Sequence, residues 1–496
     1  MRYPLATSPS RGGPAGNAAL AALVLAVLSY SLVQTMLVPT VGVLQRDLRT
    51  SPAAASWAVL SSTLLTSAVL TPLISRLGDR HGKRRVLVAT LTVHLAGTLG
   101  AAFAWDVASL IVLRAVQGVS LALLPLALGL IRDVMPPHRV AGALGLTSGL
   151  VAGAAGAGLL VGGLLVDHAS WRWLFAAGAL LVAAALAAVL RWVPEGPTAP
   201  SGSLDVPGAA LLGGALVAVL LGLTQGPAWG WASPAVLGLF AGCAVLSALF
   251  LAWERRVPHP LVDPALLLGP AIRTVHLGAF LLGAVQFVFY VLIPKLAEAP
   301  SGPGVPGGYG FGASVTVAGL ILVPGTLCGL PASALAGRVE GRFGARAPLA
   351  LGLAVSAAGG ALLALEHHAV RHLVLGYAVI GTGFGFAMAA LPRMVHQVSG
   401  PDTGATANGV NTVARTVGGA VGSQLAAAIL ASRTVPHTAV PAAHGYTVSF
   451  WTAAGVAAAG ALLLLTGRRP GGSGFPTPTA PGRTRRADGA RARSEP

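Results

Sequence analysis

Hydrophobic residues in this chain form long runs, and short polar segments separate one run from the next. A membrane-crossing helix needs about twenty consecutive apolar residues. Fourteen runs have about this length, at 18–44, 53–75, 86–104, 107–131, 140–166, 171–193, 204–223, 233–253, 274–294, 313–336, 348–365, 370–394, 405–432 and 446–467. The turns between spans 3 and 4 and between spans 7 and 8 are so tight that the count lies between twelve and fourteen. The pattern therefore predicts an all-α integral membrane protein with about fourteen transmembrane helices.

Composition supports a membrane protein and excludes several other classes. The chain is 54% hydrophobic and 9% charged, whereas soluble domains are about 45–50% apolar and about 25% charged. A net charge of +17 suits nucleic acid only on the basic face of a folded soluble domain, and here the cations lie in gaps between apolar runs. Cys243 and Cys328 both lie inside apolar runs, so a disulfide framework or metal cluster is not expected. The sequence predicts no nucleic-acid partner, no metal and no other cofactor.

The positions of lysine and arginine predict the orientation of the spans, because cytoplasmic loops of membrane proteins are enriched in these residues. With both termini inside, 24 of the 32 Lys and Arg residues fall in cytoplasmic segments and two fall within spans. The remaining six lie in outer loops, at Arg46, Arg49, Arg172, Lys295, Arg371 and Arg433. Both termini are therefore predicted to be cytoplasmic. The first span is predicted to be an uncleaved helix, and the Pro-, Gly- and Arg-rich C-terminal tail is predicted to be disordered.

A short loop sequence occurs twice and divides the chain into two halves. SRLGDRHGKRRVL, residues 75–87, follows span 2, and GRVEGRFGAR, residues 337–346, follows span 10. Both copies contain Arg-x-Gly, but Gly341 stands where the first copy has Asp79. Internal repeats of this kind are typical of secondary transporters, whose substrate site lies between the halves near the membrane midplane. The predicted divisions are a cytoplasmic N-terminal tail (1–17), a six-helix bundle (18–193), linkers with two inserted helices (194–273), a second six-helix bundle (274–467) and the disordered basic tail (468–496).

The first loop resembles the cytoplasmic signature of the major facilitator superfamily, Gly-x-Leu-x-Asp-Arg-x-Gly-Arg-Lys. Ser75 replaces the leading glycine, and the matching residues are Leu77, Asp79, Arg80, Gly82, Lys83 and Arg84. LRAVQG on span 4 resembles the family's Arg-x-x-Gln-Gly element, which is carried here by Arg114, Gln117 and Gly118. SWRWLF at 170–175 and NTVARTVGGAVG at 411–422 resemble the fourteen-helix drug:proton antiporter branch of that family.

This resemblance implies a fold, a function and a set of partners. The fold is two six-helix bundles plus two inserted helices, in a monomer embedded in the lipid bilayer of the plasma membrane. The implied function is proton-coupled efflux of amphipathic drugs or secondary metabolites by alternating access. Proton-coupled import of a small organic nutrient in the same fold is the alternative. An enzyme is not expected, because the sequence has no nucleophile–base set, no metal-ligand spacing and no phosphate-binding loop.

Two departures from the antiporter branch concern proton coupling. On span 5 the Gly-Pro-x-x-Gly-Gly element has no proline, because Leu159 follows Gly158. On span 1 Tyr30 stands roughly where the branch has an Asp, and all fifteen Asp and Glu residues lie in predicted loops, at span ends or in the tail. Histidine titrates near neutral pH and is a substitute carrier, with a passive hydrogen-bonding role as the alternative. The histidines in or near spans are His94, His276 and His396, of which His94 is the deepest.

The first loop is predicted to hold the cytoplasmic side of the protein closed. Asp79 is expected to meet the N-terminus of span 13, residues 403–408, where unsatisfied N–H groups carry partial positive charge. The other residues expected to take part are Leu77, Arg80, Gly82, Lys83, Arg84 and Asp133. Two of them, Arg80 and Arg84, are expected to hold the contact directly. The alternative is a topology signal alone, which accounts for Lys83 but not for Asp79.

Two arginines at membrane depth are candidate transport residues. Arg114 lies on span 4 and Arg415 near the middle of span 13, and a charge at that depth needs a partner or a water-filled cavity. Neither has an acid at its own depth, so polar partners are expected. The candidates are Gln34, Gln117, Asn408 and Asn411. Structural hydrogen bonds to backbone carbonyls are the alternative role for both arginines.

Aromatic and amide side chains in spans 1, 9 and 13 are candidates for a pocket that binds hydrophobic compounds. They are Tyr30, Gln34, Phe287, Phe289, Tyr290, Asn408 and Asn411. Aromatic residues at this spacing also occur on lipid-facing or packed helix surfaces, which is the alternative interpretation.

Overall fold

The computed structural model describes residues 14–37, 40–50, 54, 58–59, 62–196, 205–258, 260–302, 308–399, 403–436, 438 and 440–466. The tail predicted to be disordered, 468–496, lies outside these residues, as do the first thirteen residues of the chain. The first helix begins at Pro14, inside the segment predicted as a polar tail.

The first half of the chain folds into eight α-helices in the described residues. They are α1 (Pro14–Met36), α2 (Val41–Asp47), α3 (Ser62–His81), α4 (Lys83–Ala102), α5 (Val107–Gln117), α6 (Leu123–Val134), α7 (Pro137–His168) and α8 (Arg172–Trp192). A 3-10 turn at Gly118–Ala122 joins α5 to α6, so these two helices together form predicted span 4.

The rest of the described chain folds into nine more helices. They are α9 (Val206–Trp229), α10 (Pro234–Glu254), α11 (Pro264–Leu268), α12 (Pro270–Glu298), α13 (Val315–Phe343), α14 (Ala347–Leu365), α15 (Val370–Val398), α16 (Gly404–Ala431) and α17 (Ala443–Thr466). Isolated bridges at Ser301–Tyr309 and Thr434–Pro441 are the β-type contacts found in the described residues. The prediction of an all-α membrane protein is confirmed.

Thirteen helices of the described chain are long and apolar enough to cross a membrane. The helical form of these segments follows from the lipid environment, because a segment inside a bilayer satisfies its backbone hydrogen bonds only by folding as a helix or as part of a closed barrel. Some of these helices begin with a polar side-chain cap. Asp106 and Ser109, for example, form a capping box at the start of α5, with Ser109 N donating to Asp106 Oδ1 at 2.7 Å.

Helix α3 corresponds to predicted span 53–75 and is not among the thirteen, because six of its residues are Ser or Thr and three are charged. Two of its hydroxyl groups bond to backbone carbonyls of predicted span 4, and two others bond within α3 itself. Thr63 Oγ1 donates to Arg114 O at 3.0 Å and Ser67 Oγ donates to Gly118 O at 2.7 Å. A Cβ on Gly118 would lie 2.7 Å from Thr66 Cβ, so glycine permits this close approach. The low hydropathy of α3 therefore reflects a helix that is buried in protein.

The repeated loops adopt the same local structure. Gly82 separates α3 from α4 with φ of 103°, and Gly344 separates α13 from α14 with φ of 94°. Side chains with a Cβ are disfavoured at these angles, which is why both copies of the Arg-x-Gly sequence end in glycine. The repeat is therefore visible in the backbone as well as in the sequence.

Helices α7 and α13 pack against each other along most of their lengths and join the two halves. Gly149, Gly156 and Gly163 recur on α7 every seven residues, at two-turn spacing. A Cβ on Gly156 would lie 2.6 Å from Thr326 Cγ2, and one on Gly163 would lie 2.7 Å from Thr316 N. Small residues at such spacing let membrane helices approach closely. Helix α7 runs unbroken for 32 residues, which agrees with the presence of Leu159 where the antiporter element has a proline.

Candidate functional site

Asp79 lies at the end of α3 and meets the N-terminus of α16 across the boundary between the halves. Its Oδ2 accepts hydrogen bonds from Thr406 N at 2.9 Å and Thr406 Oγ1 at 2.8 Å, and its Oδ1 accepts one from Ala405 N at 3.4 Å. Asp79 is 4% exposed. A carboxylate against a helix N-terminus is stabilised by the unpaired N–H groups and by the helix dipole. The structure therefore contains the contact predicted between Asp79 and residues 403–408.

Lys83 lies beside this contact and balances its charge. Its Nζ is 2.9 Å from Asp133 Oδ2 and 3.5 Å from Asp79 Oδ1, and the residue is 4% exposed. Its methylene stem passes over Gly129 of α6, where a Cβ would lie 2.9 Å from Lys83 Cδ. A lysine that only marked topology would remain in water, so the burial of Lys83 between two carboxylates favours its predicted part in this contact over the alternative of a topology signal alone.

The two arginines expected to hold Asp79 do not reach it. Arg84 Nη2 donates to Leu190 O of α8 at 3.0 Å, and Arg80 is half-buried. Within the described chain, no hydrogen bond or ion pair joins either guanidinium to Asp79. The turn at Gly82 directs the first residue of α4, rather than the second, towards the carboxylate, and this part of the prediction is wrong.

Further contacts surround Asp79 at the same end of the helix bundle, which we call the Asp79 end. Leu77 is half-buried one turn from the end of α3. Arg132, at the end of α6, donates from Nη1 to Ser399 Oγ at 3.1 Å. Ser399 immediately follows α15, so this bond also joins the first half to the second.

Arg114 is buried at 1% exposure in a network of neutral acceptors. Its Nη1 donates to Gln117 Oε1 at 2.6 Å and its Nη2 donates to Gln34 Oε1 at 2.8 Å. Two backbone carbonyls also accept from it, Val59 O at 2.6 Å and Ala58 O at 3.2 Å. The predicted partners Gln34 and Gln117 are confirmed, and the carbonyl contacts considered as the alternative are present as well.

A cavity of about 360 Å³ lies between the two halves, which we call the central cavity. This volume is within the usual range for small-molecule pockets, roughly 300–1,000 Å³. Five of the predicted site residues line it together, namely Tyr30, Gln34, Phe287, Tyr290 and Arg415. The pocket and transport predictions therefore converge on one place, because residues of α1, α12 and α16 meet there.

Other predicted residues lie outside the cavity wall. Asn408 Nδ2 donates to Gly404 O of its own helix at 2.8 Å, and Asn411 Nδ2 donates to Val275 O of α12 at 3.4 Å. Phe289 stacks on Phe450, with ring centroids 6.3 Å apart. These side chains lie on helix faces that pack against a neighbour, so the prediction that they line the pocket is not met.

None of the three candidate histidines is part of the described cavity wall. His94 is fully buried, and neither ring nitrogen has a hydrogen-bond partner in the described structure. His276 and His396 are half-buried towards the ends of α12 and α15. The depth of His94 is therefore as predicted, but depth alone does not bring it to the cavity.

One of the two inserted helices forms part of the cavity wall, which the sequence did not predict. Leu220, Leu221 and Thr224 of α9 line the central cavity next to residues of α3 and α16. The residue pattern of α9 gives no signal of this role, because an apolar helix facing a cavity resembles one facing lipid.

A pair of buried acids at the base of the inserted helices was also missed. Asp205 caps α9, and its Oδ1 accepts from Gly208 N and from Trp253 Nε1, each at 2.9 Å. Glu254 is 2% exposed and Asp205 is 6% exposed. A Cβ on Gly208 would contact Asp205 Oδ2 and would lie 2.7 Å from Glu254 Oε1, so the two carboxyl groups are neighbours. Both residues stand at span ends in the sequence, where exposure is the default expectation.

Known proteins resemble this chain over most of its length. Residues 23–253 and 275–495 match the model of a family described as Major Facilitator Superfamily. The chain is 32% identical over 475 residues to the puromycin resistance protein pur8 of Streptomyces alboniger, which covers 90% of this chain and 88% of that protein. It is 29% identical over 424 residues to the tetracenomycin C resistance and export protein of Streptomyces glaucescens, which covers 84% of this chain and 76% of that protein.

A solved structure shares the fold. The human organic anion transporter MFSD10 superposes with a TM-score of 0.64 at 16% identity, covering 91% of this chain and 100% of that one.

Proposed function

The chain belongs to the Major Facilitator Superfamily, and from this premise we propose that it exports amphipathic organic compounds, such as drugs or secondary metabolites, in exchange for protons. The family consists of transporters rather than enzymes. The proposed location is the plasma membrane, with both termini in the cytoplasm and the Asp79 end facing inwards. The proposed unit is a monomer.

The central cavity is the observation that carries this proposal. It lies between the two halves of the bundle, where secondary transporters bind substrate, and aromatic side chains such as Phe287 and Tyr290 form part of its wall. Their ring centroids are 5.9 Å apart. A wall of this kind suits large apolar molecules with a few polar groups. The names of the two bacterial relatives, which refer to resistance and export, support the outward direction.

Alternating access requires contacts that open and close at each end, and we propose that Asp79 belongs to such a contact. Asp79 and Thr406 join the two halves at the Asp79 end. Lys83 and Asp133 support this contact by charge, and Gly82 supports it by its turn. Leu77, Arg80 and Arg84 complete the proposed gate region. The proposed gate holds the cytoplasmic side closed while the central cavity is loaded or emptied from the other side.

The experiment is dye efflux from cells of a host without its own drug pumps. Cells expressing the protein are loaded with several fluorescent aromatic dyes, and release is followed before and after a protonophore collapses the proton gradient. We expect release several times faster than from cells with an empty vector, and loss of this difference with the protonophore. Faster accumulation of dye that depends on the gradient would favour the import alternative. Equal release with and without the protein would overturn export.

A further inference from the structure

Arg415 brings a positive charge into the central cavity without a protein counter-charge. It is half-buried on α16 and lines the cavity. No Asp or Glu of the described chain lines the same cavity, and no described side chain forms an ion pair or a hydrogen bond with the Arg415 guanidinium. A charge at membrane depth is costly unless it has a partner or a function in a wet cavity. Arg114 contrasts with Arg415, because four acceptors surround the Arg114 guanidinium.

The rest of the cavity wall presents additional donors. Gln34 uses its Oε1 to accept from Arg114 Nη2. Because arginine only donates, this bond fixes the orientation of the amide and leaves the Nε2 hydrogens for other partners. The Tyr30 hydroxyl, on the same helix, has no hydrogen-bond partner in the part of the chain that the structure describes. A guanidinium, an amide N–H and a hydroxyl thus face the same space as the aromatic and aliphatic side chains of the wall. The wall also has neutral hydroxyl and amide side chains, at Ser31, Thr35, Thr224, Gln286, Thr416, Ser423 and Gln424.

We infer that the central cavity binds amphipathic organic anions, with an aromatic body and a carboxylate, sulfonate or acidic phenolate held by Arg415. This inference rests on the proposed export function and specifies its substrate class. A guanidinium binds planar oxyanions through paired, charge-assisted hydrogen bonds. An organic cation in the same cavity is repelled by Arg415 and finds no carboxylate in the described wall.

Binding of a matched ligand series tests the substrate class. The series is 1-naphthalenesulfonate, the neutral 1-naphthalenesulfonamide and the cationic 1-naphthylmethylammonium, which share one aromatic body. Isothermal titration calorimetry on the purified full-length protein is expected to give the tightest binding for the sulfonate and the weakest for the ammonium. The reverse order, or equal affinity for all three, would overturn the inference.

Variants of the arginine locate the effect. Arg415→Gln is expected to weaken sulfonate binding roughly ten- to hundredfold, as for loss of a charged hydrogen bond, and to leave sulfonamide binding within about twofold. Arg415→Lys keeps the charge and is expected to retain most of the preference for the sulfonate. Retained sulfonamide binding shows that the Gln variant is folded. If that variant does not fold, the order of the three ligands in the wild type still decides the inference.

A control and an efflux measurement separate this inference from the proposed function. Arg273→Gln removes an exposed charge on α12, away from the cavity wall, and is expected to leave all three affinities unchanged. A loss of sulfonate affinity in this control equal to that in Arg415→Gln would contradict a local role. Gradient-dependent efflux of a cationic dye such as ethidium, without binding of the sulfonate, would refute the anion assignment and leave export intact.

Discussion

Arg393 Nη1 lies 3.3 Å from Glu340 Oε2. Glu340 comes one residue before Gly341, which stands in the second loop where the first loop has Asp79. The acid is therefore displaced by one position rather than absent. Arg393 also lies against α7 of the first half, because a Cβ on Gly145 would be 2.5 Å from Arg393 Nη2. Both loops thus contribute a carboxylate near a contact between the halves. The second loop acts through an arginine, whereas Asp79 bonds directly to the N-terminus of α16.

Asp79→Asn is expected to shift the protein away from the state in which the Asp79 end is closed. The amide keeps the side-chain shape but loses the charge that α16 stabilises, an effect worth about 0.3–1 kcal/mol when exposed and up to about 2 kcal/mol when partly buried. Two conformations within a few kcal/mol of each other change population visibly under such a loss. Disulfide crosslinking between Ser75→Cys and Gly409→Cys, with the native cysteines replaced by serine, should slow in this variant.

Crosslinking at the opposite end completes this test. Thr316 Oγ1 donates to Asp167 Oδ2 at 2.5 Å there. A cysteine pair at these two positions is therefore a matched control, because α7 and α13 already touch while the Asp79 end is closed, and its crosslinking rate should be unchanged in Asp79→Asn. Glu195→Gln is the control, because the Arg85–Glu195 pair is 3.6 Å apart with the arginine side chain 74% exposed, and exposed pairs contribute little. Unchanged crosslinking between positions 75 and 409, together with normal efflux, in Asp79→Asn would mean that the loop does not act as a gate.

Lys83→Met is expected to harm the protein more than Arg84→Met. Removal of the ammonium leaves Asp79 and Asp133 together with reduced compensation, and a buried charge that loses its partner costs about 3–5 kcal/mol. Arg84 loses one bond to a backbone carbonyl at the surface. Thermal unfolding of the purified variants in detergent measures the difference. A Tm for Lys83→Met as high as that for Arg84→Met would show that Lys83 is not needed to balance the two acids.

The fold and the Asp79 contact were predictable because each depends on one general rule. The length of the apolar runs predicts the helices, and an acidic residue in a loop that faces a helix N-terminus predicts the contact. The choice of Lys83 over Arg84 was not predictable, because neighbouring cations look alike until the turn at Gly82 sets the direction of α4. The contribution of α9 to the cavity wall depends on how the two inserted helices, α9 and α10, pack against the bundle. No local sequence pattern predicts that packing.

Arg114→Ala is expected to abolish efflux while the protein still reaches the membrane. Four acceptors, two of them glutamine side chains, lose their common donor, and Gln34 is then free to rotate in the wall of the central cavity. Arg114→Lys should rescue efflux poorly, because one ammonium lacks the planar fork that reaches all four acceptors. Efflux rates normalised to membrane protein level measure this, with Arg273→Ala as an exposed control. Full activity of Arg114→Ala would limit Arg114 to a scaffolding role.

The acid pair below the inserted helices is expected to respond asymmetrically to substitution. Asp205→Ala removes the cap of α9 and the acceptor of Trp253 Nε1, and loss of an N-cap costs about 0.5–2 kcal/mol. Glu254→Gln keeps the shape and removes the repulsion between two buried carboxyl groups, so it should maintain or raise the Tm in detergent. A lower Tm for Glu254→Gln than for Asp205→Ala would show that Glu254 is needed as a charge.

Gly156→Val is expected to impair transport through the contact between the halves. The added side chain would overlap Thr326 on α13, and overpacking of this kind typically costs about 1–3 kcal/mol. It would also separate α7 from α13, two helices that must stay in contact while the halves tilt. Gly142→Val provides a matched control on the same helix, because nothing lies within 4 Å of a Cβ at Gly142 and the change in helix propensity is the same. Efflux should fall strongly in Gly156→Val and remain near the wild-type rate in Gly142→Val. Equal losses in the two variants would assign the effect to the helix itself, and full efflux in Gly156→Val would show that the close approach of α7 and α13 is not required for transport.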